Sequence, residues 1–329
     1  NGHSAVRDLP VTWSATDNVA WKQSLPGDGW SSPVVLGGRI FLTSAVHRPG
    51  GADLERDLFA LCLDAASGEV VWKRLLFEQT ADVAQPIHKK NSHASPTPVT
   101  DGEHLWVHFG RQGTACLTLT GDVVWKRRDL EYRMQHGNGA SPILVDDILF
   151  INCDGSDVQY VVALDQKTGE TRWKKDRPQV ANTKKFSFAS PTAIDVNGQT
   201  QIISPATDVV VAYDPRDGRE IWRVRYDGYS VIPKPVYSHG LVFVSTSYNR
   251  PKLYAIDPTG SGDVTETHVR WTFEKNICHT PSFLVVGDEL YCVSDRGVAT
   301  CFDVTTGQVH WQERLGGRNV SSSPLFADG

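Results

Sequence analysis

The chain has 329 residues, of which 40% are hydrophobic and 22% are charged, and its formal net charge at pH 7 is −5. A weakly acidic surface of mixed charge favours neither nucleic acid nor a membrane surface as the partner. The sequence has no run of 18 apolar residues, so it predicts no transmembrane segment, and we identify no signal peptide in it.

A motif of the form Asp-x-x-x-Gly-x-x-x-Trp recurs along the chain, and its four full copies span 64–72, 165–173, 214–222 and 303–311. A fifth copy keeps Gly121 and Trp125, and a sixth has a longer turn and ends at Trp271. Two short apolar runs and a small residue followed by proline precede each copy. A period of about 45 residues indicates one supersecondary unit that is used several times.

The first element in chain order is the segment 1–31, where Trp21 lies in the sequence VAWKQSLPG. This segment has the signature of the outermost strand of a repeat, so in a circular array we expect it to complete the last unit. Insertions at roughly 45–57 and 77–92 lengthen the first repeat, and residues 322–329 begin a further unit that stops. The six repeats span approximately 32–76, 95–130, 141–176, 190–227, 234–274 and 280–317.

Each repeat is expected to form four strands. In the second repeat these are 96–100, 104–110, 114–120 and 123–129, joined by Gly- and Asp-containing turns that favour hairpins. The third strands, such as YVVAL at 160–164 and VVVAY at 209–213, are apolar on both faces and are predicted to be buried. The last strands carry basic residues, which is typical of an exposed sheet edge.

This pattern predicts an all-β fold, a β-propeller of four-stranded blades that occupies 1–329 as a single domain. Because 322–329 begins another blade, we expect eight blades in the full-length protein, with seven as the alternative. A repeated tryptophan is expected to pack between neighbouring blades while its N–H reaches a backbone partner. The seven tryptophans at this position are Trp21, Trp72, Trp125, Trp173, Trp222, Trp271 and Trp311.

The six cysteines are interpreted as small buried hydrophobic residues, not as a disulfide framework. Three of them, Cys62, Cys116 and Cys301, fall on equivalent third strands. Cys292 and Cys301 lie on neighbouring strands but slightly out of register. Because the sequence shows no metal-ligand spacing, we expect no metal site.

The Asp-x-x-x-Gly-x-x-x-Trp copies and the Ser-Pro steps at 95–96, 141–142, 190–191 and 323–324 resemble the pyrroloquinoline quinone (PQQ) repeat. The resemblance covers nearly the whole chain. Proteins with this repeat include quinoprotein dehydrogenases, which hold PQQ and calcium, and non-catalytic propellers such as the lipoprotein of the outer-membrane β-barrel assembly machine. The segments 88–98 and 225–237 look most like PQQ-like propellers of planctomycete-type bacteria.

The resemblance to the dehydrogenases is incomplete. Those enzymes carry two adjacent cysteines beside the cofactor, whereas this sequence has no Cys-Cys pair. They are also longer, and their calcium ligands and catalytic aspartate have no matching motif position here. We therefore assign no catalytic residue, and we expect no cofactor, with PQQ and calcium as the alternative.

Residues just before the first strand of each blade should converge on one mouth of a central channel. The residue before the repeat proline is a hydroxyl residue in six repeats and Lys234 in the seventh, which makes Lys234 the strongest candidate for a functional role. Six residues before proline, four of the seven positions are Lys or Arg. They would form a positive collar for an anionic ligand if they surround one mouth, although surface lysines can equally point outward. The candidate ligand-binding residues are Lys90, His93, His136, Lys185, Tyr229, Lys234, His279 and Arg318.

Three functions are compatible with these features. The preferred one is a non-catalytic, monomeric scaffold in the periplasm or another extracytoplasmic bacterial compartment, which binds a protein or a small anionic or sugar ligand at the channel mouth. The first alternative is a PQQ- and calcium-dependent dehydrogenase that oxidises alcohols or sugars. The second is a carbohydrate-binding propeller, in which rim aromatics such as Trp30 and Tyr229 stack on sugar rings.

Overall fold

The computed structural model describes residues 2–328, which contain no α-helix. The chain divides into two compact units. The C-terminal unit combines residues 2–9, with strand β1 (His3–Ser4), and residues 177–328. The N-terminal unit comprises residues 10–176. The expectation of one domain over 1–329 stays a prediction, and its end residues Asn1 and Gly329 lie outside the described residues.

The N-terminal unit contains three four-stranded antiparallel sheets whose strands follow one another in chain order. The first sheet has β2 (Val34–Leu36), β3 (Arg39–His47), β4 (Arg56–Asp64) and β5 (Val70–Gln79). The second has β6 (Val99–Thr100), β7 (His104–His108), β8 (Thr114–Thr118) and β9 (Val123–Arg127). The third has β10 (Ile143–Val145), β11 (Ile148–Asp154), β12 (Gln159–Asp165) and β13 (Thr171–Asp176).

The C-terminal unit contains three further sheets of four antiparallel strands, and a short fifth strand pairs in parallel with the last strand of the fourth sheet. The fourth sheet has β14 (Thr192–Val196), β15 (Gln199–Ala206), β16 (Val209–Tyr213) and β17 (Glu220–Arg225). The fifth has β18 (Val236–Ser238), β19 (Leu241–Ser245), β20 (Leu253–Ile256) and, after the short strand β21 (Gly262–Asp263), β22 (Val269–Phe273). The sixth has β23 (Leu284–Val286), β24 (Glu289–Val293), β25 (Val298–Asp303) and β26 (Val309–Arg314), and β27 (Phe326–Ala327) pairs in parallel with β1.

The strand predictions for the second repeat are confirmed in number and order. The second, third and fourth strands begin where predicted, at His104, Thr114 and Val123, but each ends two residues early. The predicted first strand is reduced to β6, because proline at 96 and at 98 provides no N–H for a ladder. Part of the insertion at 45–57 extends the hairpin of β3 and β4.

The burial pattern of the strands also agrees with the prediction. Strand β16 and the YVVAL segment of β12 are buried at every position, whereas every residue of β26 is exposed. Hydrophobic clusters join consecutive sheets: Phe41 of the first sheet and Leu105 of the second, for example, belong to one cluster. Within each unit, the sheets are therefore stacked face to face.

In several repeats, the motif is self-complementary, because the tryptophan of one repeat lies on the glycine of the next. The ring of Trp125 lies where a Cβ on Gly169 would be, at 2.6 Å, and its Nε1 donates to the carbonyl of Gln166 at 2.8 Å. Trp72 makes the same contacts with Gly121 and with the Leu119 carbonyl, at 2.9 Å. The motif aspartate closes the turn by accepting backbone N–H bonds, a side-chain role that favours turns.

Three tryptophans in the described residues depart from the expected backbone bond. Trp311, on the exposed strand β26, is 43% exposed and has no backbone partner for its Nε1 within 2–328. The long turn after Asp257 carries β21, which pairs in parallel with β17 and covers it. Trp222 is consequently 0% exposed and donates its Nε1 to the side chain of Gln201 at 2.8 Å. Trp271 lies on Gly307, but its buried Nε1 has no hydrogen-bond partner in the described part of the chain.

The expectation that the segment around Trp21 forms a closing strand is wrong for the described residues. No strand includes Trp21, although its ring lies on Gly68 and its Nε1 donates to the Ala65 carbonyl at 3.0 Å. A strand requires a hydrogen-bonded neighbour, and residues 11–27 have none within 2–328. The pairing at the chain ends is instead between His3–Ser4 and Phe326–Ala327.

The interpretation of the cysteines is confirmed. All six are buried free thiols. Cys292 lies opposite Thr300, and Cys301 lies opposite Tyr291, so these two thiols are one position out of register.

Candidate functional site

The strand register corrects the proline alignment in two repeats. The pair Val34↔Phe41 at the start of the first sheet corresponds to Val99↔Trp106 in the second and to Leu284↔Tyr291 in the sixth. The residue that aligns with Pro33 is therefore Pro98, not Pro96, and in the sixth repeat it is Phe283, not Pro281. Lys90 and Lys275, which lie six residues before Pro96 and Pro281, lose their places in the predicted collar as a result.

With this register, the residue preceding the aligned position is a serine or threonine in every repeat but one. These residues join consecutive sheets: Ser32 donates its backbone N–H to Thr97 Oγ1 at 3.0 Å, and Thr97 donates its own to Ser141 Oγ at 2.9 Å. In the C-terminal unit, Lys234 donates its N–H to Ser282 Oγ at 3.0 Å, and Ser282 donates to Ser323 Oγ at 2.9 Å. The hydroxyl series is therefore a set of contacts between neighbouring sheets.

Lys234 occupies one of these positions without a hydroxyl. Its ammonium group is a donor only, so it cannot accept the bond that the serines accept. The Lys234 residue is exposed, yet burial lowers the pKa of the amine from its ordinary value.

Because the four strands of each sheet are antiparallel, several chain segments meet at each end of the sheet. We call the end at which the first strand begins the starting edge. Three segments meet there: the one before the first strand, the one joining the second and third strands, and the one after the fourth strand. The predicted candidates all precede first strands and lie at starting edges. The search by sequence omitted the other two segments.

In the N-terminal unit, the starting-edge candidates are Lys90, His93 and His136. Lys90 is exposed, and His93 is half-buried, with burial and then the charge of Arg56 lowering its pKa to about 4. The ring of His136 lies 5.7 Å from that of His88, and its carbonyl accepts the His88 N–H at 3.1 Å. These contacts hold the segment around His88 against the segment around His136. Lys90 lies beside them and donates its backbone N–H to His88 Nδ1 at 3.2 Å.

In the C-terminal unit, four rings form a continuous series that we call the aromatic row: Phe186, Tyr229, Tyr248 and His279. Successive ring centroids are 6.0, 5.9 and 5.2 Å apart. The row crosses the starting edges of three consecutive sheets. Tyr248, on the segment after β19, is 42% exposed.

A lysine accompanies the aromatic row. Lys184 Nζ donates to the Tyr229 hydroxyl at 3.1 Å and lies 4.6 Å from the centre of its ring, which is a cation–π distance. Lys185, the predicted candidate next to it, is half-buried. Phe186 is the buried member of the row, Tyr229 and His279 are half-buried, and Tyr248 is its exposed ring. Together with the exposed Lys184, the row therefore offers aromatic, hydroxyl and ammonium groups along one edge.

At its far end, the row reaches a cavity of about 360 Å³ lined by Asp295, Arg296, Arg314, Arg318 and Asn319. Asp295 Oδ2 accepts the backbone N–H of His279 at 2.7 Å, which links the row to the cavity wall. Burial lowers the pKa of His279, and Arg296 lowers it further, while Asp295 opposes this shift.

The structure brings four predicted candidates to the starting edges of the C-terminal unit beside this arrangement: Lys185, Tyr229, His279 and Arg318. Sequence reasoning missed Lys184, Tyr248, Arg296 and Arg314. Tyr248 and Arg296 follow second strands, and Arg314 ends a fourth strand. An antiparallel blade drawn from the sequence would have placed them at the same edge.

Residues 2–328 contain no group of three or more His, Cys, Asp or Glu side chains that could hold a metal ion. No helix that could cross a membrane is found there either. The aromatic row and the basic residues around it offer aromatic rings and positive charges to a ligand.

A family model described as "Outer membrane protein assembly factor BamB" matches residues 15–176 and again residues 157–328. The chain belongs to this family. The matches together cover nearly the whole chain, and each contains several copies of the tryptophan motif.

One curated relative is the outer membrane protein assembly factor BamB of Yersinia pestis, 24% identical over 165 residues. The match spans 47% of this chain and only 39% of the relative. Among solved structures, BamB from Moraxella catarrhalis is similar, with a TM-score of 0.60 and 14% identity, over 90% of this chain and 91% of that one.

The quinohemoprotein alcohol dehydrogenase ADHIIG from Pseudomonas putida HK5 is similar, with a TM-score of 0.50 and 10% identity, over 93% of this chain and 69% of that one. These low identities show the fold alone. The fold is the predicted all-β PQQ-repeat propeller, and at this coarse level the family indicates a scaffold. The number of blades, eight or seven, stays a prediction.

Proposed function

We propose that the protein is a non-catalytic propeller scaffold that acts as a monomer in an extracytoplasmic bacterial compartment and binds a protein partner. Membership of a family described by outer membrane protein assembly supports both the compartment and the kind of partner. The binding surface is the aromatic row of the C-terminal unit together with the basic residues around it. The observation that carries this proposal is the run of three ring contacts from Phe186 to His279, with Tyr248 exposed.

The composition of the row fits protein recognition. Tyrosine offers a large apolar face and a hydroxyl at low cost in side-chain entropy, and tyrosine and arginine are enriched at interfaces and at their hot spots. Tyr229 and Tyr248 are held in place by backbone bonds between their segments, with Tyr229 N–H donating to the Tyr248 carbonyl at 3.1 Å. A surface fixed in this way loses little conformational freedom on binding.

The proposal can be tested by photo-crosslinking in the source bacterium. A photoreactive phenylalanine analogue replaces Tyr248 in the row, and Val70, an exposed residue on the outer strand β5, is the matched control position. We expect an adduct with a defined protein at position 248 and not at position 70. The purified partner should then bind the wild-type protein at least tenfold more tightly than the Tyr248→Ala variant. Equal labelling at both positions, or equal binding by the variant, contradicts the proposal.

A titration with PQQ, with and without calcium, tests the dehydrogenase alternative. A scaffold gives no heat beyond dilution in either buffer. Calcium-dependent binding at micromolar concentration, lost in Lys234→Ala, would instead establish the quinoprotein function. A parallel titration with glucose and maltose examines the sugar-binding alternative, for which Tyr229→Ala should abolish any signal.

A further inference from the structure

The cavity at the end of the aromatic row has an unusual charge balance. Three arginines and one aspartate line it, which leaves two net positive charges in a chain with a net charge of −5. Arg296 lies between β24 and β25, Arg314 ends β26, and Arg318 belongs to the segment that follows. All three are exposed and accessible to a ligand.

Arginines elsewhere in the described chain commonly have carboxylate partners. Arg172 contacts Asp165 at 2.6 Å, for example, and Arg270 contacts Asp257 at 2.5 Å. Within residues 2–328, no carboxylate lies within ion-pair distance of the three cavity arginines. Arg314 Nη1 donates to the carbonyl of Arg296 at 3.2 Å, which leaves most of the guanidinium N–H groups available.

Asp295 forms no ion pair with these arginines, because its carboxylate accepts hydrogen bonds from the neighbouring segment. Oδ1 accepts from the Thr280 hydroxyl, and Oδ2 accepts the N–H groups of His279 at 2.7 Å and Thr280 at 3.3 Å. The carboxylate thus fixes the loop that carries His279. The Nδ1 atom of His279 is buried and has no hydrogen-bond partner among the described residues.

We propose that this cavity binds the carboxylate of an acidic residue in a peptide segment of the protein partner. The inference rests on the proposed protein-binding function and names the chemistry that the partner must supply. A guanidinium group presents two parallel N–H donors that match the two oxygens of a carboxylate. A volume of about 360 Å³ accommodates a whole side chain, not merely a small ion.

The aromatic row supplies the second half of the recognition. The ring of His279 lies 5.2 Å from that of Tyr248, so a peptide whose acidic side chain enters the cavity places its neighbouring residue over the row. An aromatic residue beside the acidic one therefore suits the surface. Because the arginines are exposed, binding weakens as the salt concentration rises.

The test uses the full chain and the capped dipeptide N-acetyl-Phe-Glu-amide, with the uncharged N-acetyl-Phe-Gln-amide as its counterpart. Binding is followed by ligand-observed NMR titration. We expect the Glu peptide to bind about tenfold more tightly than the Gln peptide, because hydrogen bonds between ionised groups are stronger than those to a neutral amide. Arg318→Gln and Arg296→Gln should each remove most of this difference.

Arg133→Gln is the matched control, because Arg133 is an exposed arginine of the N-terminal unit with no carboxylate at ion-pair distance in the described residues. It should leave the affinity for the Glu peptide unchanged within twofold. Thermal unfolding of each variant verifies that the fold is intact. Equal binding of both peptides, or unchanged binding in Arg318→Gln, overturns the proposal.

A titration with inorganic phosphate tests whether the cavity binds a free phosphate ion instead of a peptide carboxylate. If phosphate binds in an Arg318-dependent manner and the Glu peptide does not, the cavity is a site for free phosphate and the peptide proposal is overturned. The photo-crosslinking experiment at position 248 tests the scaffold function independently of the peptide titration. A Tyr248 crosslink together with failed peptide binding overturns the cavity proposal alone, whereas loss of the crosslink overturns the scaffold function.

Discussion

Ser282 Oγ accepts the backbone N–H of Lys234 at 3.0 Å, although the two residues are 48 positions apart. Lys234 precedes the first strand of the fifth sheet, and Ser282 holds the equivalent position before the sixth. The same bond joins Thr97 to Ser141, at 2.9 Å. A residue type that looks like an ordinary strand start therefore connects neighbouring repeats within each unit.

Removing one of these hydroxyls should weaken the fold modestly. Ser282→Ala deletes the acceptor for Lys234 and leaves the bond from Ser282 N–H to Ser323 in place. We expect the free energy of unfolding to fall by about 1 kcal/mol, the typical net value of one hydrogen bond. Urea denaturation measures this change in the free energy of unfolding. Ser261→Ala, in an exposed turn, is the control and should change the stability by less than about 0.5 kcal/mol. Equal effects of the two substitutions would contradict a role for the hydroxyl.

The docking of tryptophan on glycine gives a sharper prediction. Gly169 and Gly38 have nearly the same backbone angle, φ +74° and +73°, so alanine pays the same conformational penalty at both positions. A Cβ at Gly169 would meet Trp125 at 2.6 Å, whereas one at Gly38 would meet nothing within 4 Å. We expect Gly169→Ala to cost about 1–3 kcal/mol more than Gly38→Ala, the usual range for overpacking. Similar losses in the two variants would show that the ring can move aside.

Sequence reasoning recovered the parts of the fold that depend on local pattern. Buried third strands such as β16 and exposed fourth strands such as β26 follow from periodicity and from turn chemistry, and the structure confirms them. The fourth strand β17 is the exception, because β21 pairs with it and half of its residues are buried. The reasoning failed at 96–98, where two prolines compete for one position, because only strand pairing decides which one aligns. It also failed at Trp222, because the long turn that covers this ring lies more than 35 residues further along the chain.

The candidate site was less predictable than the fold. His279 and Arg318 were identified by counting back from proline, but their connection through Asp295 depends on a loop between two other strands. The aromatic row likewise combines segments from three sheets. Such sets form only when the strands have been placed beside one another, so no spacing in the sequence reveals them.

A buried histidine predicts how stability changes with pH. His108 is fully buried, with its ring nitrogens bonded to Thr114 Oγ1 at 2.8 Å and the Tyr132 hydroxyl at 3.2 Å. Burial lowers its pKa to about 3. Between the ordinary value of about 6.5 and this value, the unfolded chain binds a proton that the folded protein does not, so stability falls as the pH falls.

This effect is measurable at moderate pH. From pH 8 to pH 5, His108 should contribute a loss of about 2 kcal/mol in the free energy of unfolding. His108→Gln has no such titration. The variant should therefore be destabilised relative to wild type by about 2 kcal/mol more at pH 8 than at pH 5. Urea denaturation at the two pH values gives both numbers, and a penalty that does not depend on pH would show that folding leaves the pKa of His108 unchanged.

The Trp222–Gln201 bond provides the last prediction. Both side chains are buried, and Gln201 also donates its Nε2 to the Pro258 carbonyl at 3.2 Å, which attaches the long turn to the fourth sheet. Gln201→Leu leaves the Trp222 N–H and the Pro258 carbonyl without these partners, so we expect a loss of about 1–3 kcal/mol for each group that stays unsatisfied. The paired variant Gln201→Leu/Trp222→Phe removes the indole donor as well and should recover part of that loss. Stability is measured by urea denaturation for wild type, the two single variants and the pair. If Trp222→Phe has the same effect in both backgrounds, the hydrogen bond contributes nothing, and packing beneath β21 alone fixes the ring.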